Sequence, residues 1–327
     1  MKIADAPVLR RFWYPIISQA RLAKGPQALS LFQEDMVVWQ GAGGLVSALA
    51  DRCGHEAVRL SPGEVCGDRL ICPHHHWEFD AGGRCVRIPQ RPTLVPGPRA
   101  HARPYFAVGR YGLAWVATDE PLFTVPEIPE FESASFRLVP TVHERWRVST
   151  LRLADRSLDL THDPRLAGAE MHSAEDLGFG QVVRFVFPAG REAVSGSVTW
   201  WAPATRVLRL SYASGLERVI LAAAAPLTDR WSIVSRLEAR NDGELDLAKE
   251  TVVAQDRQAA ALEQTSLEAL SPDVPIMPGE GADLSADNPR HLPRLTLRRI
   301  IEASEADRAA QGSERVRDQH GLPPRRP

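Results

Sequence analysis

Five runs between residues 181 and 241 carry the strand signature of β-branched and aromatic residues separated by turn formers. They are QVVRFVFPA, VSGSVTWWAP, RVLRLSYASG, RVILAAAAPL and RWSIVSRLEARN. RLVPTVHERWRVS, from residue 137, reads as a further strand, and LRLADRSLDLTHD after it switches to helical spacing. Beyond Asn241-Asp242-Gly243 the segment ELDLAKETVVAQDRQAAALEQTSLEAL is rich in helix formers and predicts one long helix. The simplest assembly is a curved antiparallel sheet wrapped on that helix. Upstream, MVVWQ, LVSALADRC, RLICPHHHWEFD and YFAVGRYGLAWVAT are short strands punctuated by Gly and Pro, which predicts a small all-β unit. The Pro-rich DEPLFTVPEIPEFES then reads as a crossing segment. This pattern predicts an α+β chain with an all-β unit over residues 1–120, a sheet-and-helix unit over 121–302, and a polar, fraying tail over 303–327.

Composition changes this picture little. A chain of 327 residues has room for two cores. A formal net charge of −2 lacks the basic excess of a nucleic-acid binder. No apolar run approaches the ~20 residues of a membrane span, and the start MKIADAPVLRRFWYPIISQ has no apolar signal region. The expectation is a cytoplasmic protein with no membrane or nucleic-acid partner.

The cysteines change it more. All four, Cys53, Cys66, Cys72 and Cys85, fall in one 33-residue stretch, which in such a chain points to metal or redox chemistry. Cys53-x-His55 is followed after sixteen residues by Cys72-x-x-His75. Two loops that each offer one thiolate and one imidazole suit a [2Fe–2S] centre with cysteines on one iron and histidines on the other. Tetrahedral zinc is the alternative, but its usual Cys-x₂₋₄-Cys spacing is not met. Among the consecutive His74, His75 and His76, the two-residue gap selects His75. Cys66 and Cys85 complete no second site and read as buried free thiols.

The stretch DRCGHEAVRLSPG…CPHHHWEFDAGGRCVRIP resembles the N-terminal domain of the Rieske non-haem iron oxygenases, nearest the vanillate O-demethylase type. FWYPI near the start, LDLTH and QDRQAAALEQ extend the likeness along the chain. The resemblance implies a Rieske domain followed by a helix-grip, START-like catalytic domain. It also implies a ring of three subunits in which each cluster feeds a neighbour's mononuclear iron. In that family His162 would be an iron ligand, Asp159 the acid bridging iron-site and cluster histidines, and Asp256 the carboxylate ligand. Hydrogen bonding of metal-bound imidazole to a carboxylate makes the Asp159 role physically sensible. A surface D-x-x-H and a polar residue at the edge of a buried stripe are the plainer alternatives for these residues.

One departure matters. The family pattern Asp-x-x-His-x-x-x-x-His ends here on Ala167, whose methyl group cannot bind iron. Arg156 also stands where the family often has asparagine. A bend at Gly168 that presents His172 or Glu170 could replace the missing ligand. Three functions follow: an oxygenase with an altered iron site, a partner-dependent electron-relay subunit in a mixed ring, or a redox module that binds a ligand without turnover. No G-x-G-x-x-G opens a strand–helix unit, so a separate reductase or ferredoxin is expected as electron donor. Phe185, Phe187, Trp200, Trp201 and Tyr212 are compatible with an apolar pocket for a small organic substrate and equally with an ordinary core.

Overall fold

The computed structural model describes residues 6–158, 163–242, 247–269 and 291–320. Its N-terminal part is built from β1 (Tyr14–Ser18), a short helix α1 (Gln19–Leu22), β2 (Gln27–Leu31), β3 (Glu34–Gln40) and β4 (Val46–Ala50). Next come the brief strands β5 (Glu64–Cys66), β6 (Arg69–Ile71), β7 (Glu78–Phe79) and β8 (Cys85–Arg87), then β9 (Pro104–Arg110) and β10 (Leu113–Ala117). Two sheets result: a six-stranded one in the order β1-β10-β9-β4-β3-β2 and a four-stranded one in the order β5-β6-β7-β8. Between them lies a core of Val37, Trp39, Leu49, Leu60, Leu70 and Phe79 that also takes in Cys53, Cys72 and Cys85.

The second part opens with β11 (Arg137–Trp146) and α2 (Thr150–Arg156). It continues with β12 (Glu170–Asp176), β13 (Gly180–Val186), β14 (Ala193–Trp201), β15 (Thr205–Tyr212), β16 (Glu217–Pro226) and β17 (Ser232–Arg240). These seven strands form one antiparallel sheet in the order β11-β17-β16-β15-β14-β13-β12. Two helices follow, α3 (Leu247–Glu268) and α4 (Leu292–His320). The five runs between 181 and 241 are β13 to β17, and the long helix is α3. One apolar core, containing Ile16 and Ile17 of β1 with Ile220 and Ala224 of β16, joins the two parts, and a second joins Leu113 and Trp115 of β10 to Val207, Val219 and Leu221.

The structure corrects the sequence expectation in two places. The stretch after Gly168 is not a loop but β12, an edge strand whose residues are almost all exposed. It lacks an apolar alternation because neither face is buried, so pattern reading passes over it. The boundary at 302/303 falls inside α4, whose backbone is helical through His320. The first turns of α4 are held to the sheet by buried Leu297 and Ile300 and by Arg299 on Asp176 of β12.

Candidate metal centres

Two loops of the N-terminal part share one backbone design. In the first, Cys53 N donates to Val58 O at 2.8 Å and Ala57 N returns to Cys53 O at 3.0 Å. In the second, Cys72 N donates to Trp77 O at 2.9 Å and His76 N returns to Cys72 O at 3.1 Å. Both turns close through a non-glycine residue in the left-handed region, Ala57 at φ 59° and His76 at φ 55°. Gly54 is required because a Cβ there would meet the Ala100 carbonyl oxygen at 2.5 Å. Buried Asp51 secures the end of the first loop, accepting from the amides of Leu60 and Ser61 at 2.8 and 2.7 Å. Gln90 donates to the His75 carbonyl at 2.9 Å and secures the second.

This frame brings His55 up to His75 and Cys53 up to Cys72. Cys53 and Cys72 are buried, while His55 is exposed and His75 half-buried. The Nδ1 atoms of His55 and His75 stand 3.0 Å apart. Two nitrogens on one tetrahedral metal are separated by about 3.3 Å at ordinary metal–nitrogen distances, so this pair is placed to share an ion. Burial, together with the neighbouring Cys72 thiol, pushes Cys53 up to about 12. Metal charge beside the Cys53 thiol would favour its thiolate. The Trp77 ring stacks on His55 at 4.6 Å. His74 stacks on His75 and lies 3.2 Å from exposed Glu56. Cys85 is a buried thiol as expected. Cys66 is not: it lies at the exposed end of β5.

Residues 12–102 match the family model for the Rieske [2Fe-2S] domain. The methylxanthine N1-demethylase NdmA of Pseudomonas putida is 34% identical over 163 residues, 47% of this chain and 46% of the relative. The aminopyrrolnitrin oxygenase PrnD of Pseudomonas fluorescens is 31% identical over 159 residues, 46% of this chain and 44% of the relative. A solved structure of the Pseudomonas putida NdmA QL mutant with theobromine superposes with a TM-score of 0.78 at 25% identity, covering 91% of this chain and 92% of that one. The chain is homologous to the Rieske non-haem iron oxygenases. Its sequence match spans about half the length of the curated relatives, and the fold likeness extends over the sheet-and-helix part. A Rieske domain carries a [2Fe–2S] cluster, and buried Cys53 and Cys72 with outward His55 and His75 fit that mixed donor set.

The second expected centre is different. Asp159 and His162 lie outside the described residues. Ala167 is exposed, and its carbonyl accepts a hydrogen bond from Arg191. His172 is an exposed residue at the irregularity of β12 between Met171 and Ser173, so it is not the replacement ligand that a bend at Gly168 would supply. Asp155 is buried and bound by Arg294 of α4. Asp256 is buried on α3 as anticipated, but its partners are cations and a hydroxyl of this chain. Arg165 and Arg236 donate to its Oδ1 at 3.2 and 3.3 Å, and the Thr141 hydroxyl contacts its Oδ2. Thr141 sits where β11 slips register against β17, and such bulges re-aim a side chain.

Asp163 extends this group. Arg165 grips it through Nε at 2.8 Å and a terminal nitrogen at 2.7 Å, and Arg206 reaches it at 3.0 Å. Burial opposes its charge, yet Arg165 and Arg206 hold its carboxyl far below the usual range. Burial likewise disfavours charge on Arg165, but Asp163, Asp256 and Glu263 keep it protonated above its ordinary range. The adjoining cavity, lined by Trp146, Leu153, Ser157, Ala204 and both Arg206 and Arg236, has a volume of about 30 Å³. Phe185 and Trp200 are core residues, and Gly196 leaves room for the Phe185 ring over the sheet. Sequence reading missed Asp163, Arg165, Arg206, Arg236 and Trp146; an acid and an arginine two apart in HDPRLA were the only local sign.

Proposed function

We propose that this chain is the electron-accepting component of a Rieske-type oxygenase system whose own mononuclear iron site is impaired. It takes electrons from a separate reductase or ferredoxin and works with a second oxygenase α subunit in a mixed ring. The reaction served is O₂-dependent hydroxylation or demethylation of a small organic molecule in the cytoplasm, in the O- and N-demethylase branch of the family. When bound, the cluster supplies one-electron chemistry at a potential raised by its imidazole ligands. Cys53 and Cys72 would hold its inner side from the core, and His55 and His75 its outer side.

One observation carries this reading: the His55–His75 pair faces outward on an ordered frame while Ala167 stands in place of an iron ligand. The outward imidazoles suit electron exchange with a docked neighbour. Trp77 fixes the His55 ring, and His74 with Glu56 gives the rim polar contacts for a partner.

Reconstitution tests it. The purified chain with a reductase should take up electrons, seen as bleaching of the cluster absorption, yet oxidise no substrate alone. Adding an iron-loaded α subunit whose own cluster cysteines are replaced should restore product. Product from this chain and a reductase alone would refute the partner-dependent reading.

A further inference from the structure

We infer that a guanidinium–carboxylate clamp takes the place of the mononuclear metal in this chain and holds α3 on the sheet without any ion. The inference deepens the impaired-iron reading and rests on the assignment of Asp256 to the carboxylate position. Arg165, Arg206 and Arg236 face Asp163, Asp256 and Glu263. Three positive charges meet three negative ones, so the group is balanced before any metal arrives. The members come from β15, β17, α3 and the segment after α2, which makes the clamp a tie between elements distant in sequence.

The Asp256 carboxylate is occupied on both oxygens as well as neutralised. Its Oδ1 takes two guanidinium donors and its Oδ2 the Thr141 contact. An incoming Fe(II) would have to displace Arg165 and Arg236 from Oδ1 or bind Oδ2 beside them, in either case leaving two buried cations next to a divalent one. The polar groups left over have the wrong sign for a metal. Among the described residues the buried Nε of Arg206, Nε of Arg236 and indole nitrogen of Trp146 have no acceptor. All three are N–H donors, and the cavity these side chains line has about the room for one or two water molecules. Glu263 and Ser157 also line the cavity, but the Glu263 carboxylate is already paired with Arg236. Water, through its oxygen, satisfies the three donors.

The test uses the full chain with its cluster in place. Total iron is measured against acid-labile sulfide, and sheet melting is followed by circular dichroism with and without excess Fe(II). Two irons per chain are expected, with a midpoint that Fe(II) does not move. An ion bound to the folded state would raise it. Arg165→Leu and Asp256→Asn should each lower the midpoint by on the order of 10 °C. Combined, they should lose clearly less than the sum, because each removes the partner that the other leaves uncompensated. Additive losses with two irons per chain overturn the clamp and leave the impaired-iron reading standing. A third iron, or a midpoint raised by Fe(II), overturns both. Should either variant not fold, the same cycle is read on Arg236→Gln and Glu263→Gln, where additive losses again overturn the clamp.

Discussion

Replacing Asp163 by asparagine isolates the strongest link of the buried ion group. Asp163 is 8% exposed and accepts from Arg165 Nε, Arg165 NH2 and Arg206 NH2 at 2.8, 2.7 and 3.0 Å. D163N keeps the volume and one acceptor oxygen but turns an amide NH₂ towards a guanidinium and removes the negative charge. Breaking one partner out of a buried pair costs about 3–5 kcal/mol. At roughly 2–4 °C per kcal/mol for a unit of this size, the midpoint should drop by about 10 °C. Thermal melts by circular dichroism report the sheet, while visible absorbance reports the cluster loops separately and should be unchanged at 25 °C. The pH dependence supplies a second check. The folded carboxyl titrates far below its unfolded value near 4, so its contribution is present above about pH 4 and fades as pH falls below it. The gap between wild type and D163N should therefore narrow in acid. A midpoint shift under about 2 °C at pH 7, or a gap that widens on acidification, would refute the electrostatic account.

Cys66 should react with a maleimide in the folded, cluster-loaded protein while Cys85 stays protected, giving one label by mass spectrometry that C66S abolishes. Labelling of Cys85 under native conditions would contradict its burial. Ala57→Gly should stabilise the first cluster loop by up to about 1 kcal/mol, since glycine reaches φ 59° without a Cβ penalty. The readout is a later urea midpoint for cluster bleaching, and an earlier midpoint would show that the turn does not store that strain.

The cluster loops were legible in the sequence because each thiolate–imidazole pair lies within four residues of chain, so spacing alone carries the geometry. The strands from 181 to 241 were legible because their apolar residues alternate or run continuously. The ion group around Asp256 was not. Arg236 lies 20 residues before it, Arg165 91 residues before it and Thr141 115 residues before it, and only the folded sheet places them together. A buried aspartate on α3 could be anticipated from its apolar neighbours, whereas the identity of its partner could not, because an iron ion and a guanidinium satisfy the same carboxylate. Cys66 misled for a related reason: β5 is three residues long, too short to show which face meets the core.

The matched cluster loops have one last consequence. Each is a six-residue bracket clipped at the same two main-chain points, yet the imidazole projects from the third residue of one and the fourth of the other. The thiol anchor is thus templated by peptide groups, with Gly54 the one position in the first bracket where an added Cβ would strike a carbonyl. The place of each imidazole is set by which position along the bracket bears the ring, so the inner and outer halves of the site answer to different parts of the same six residues.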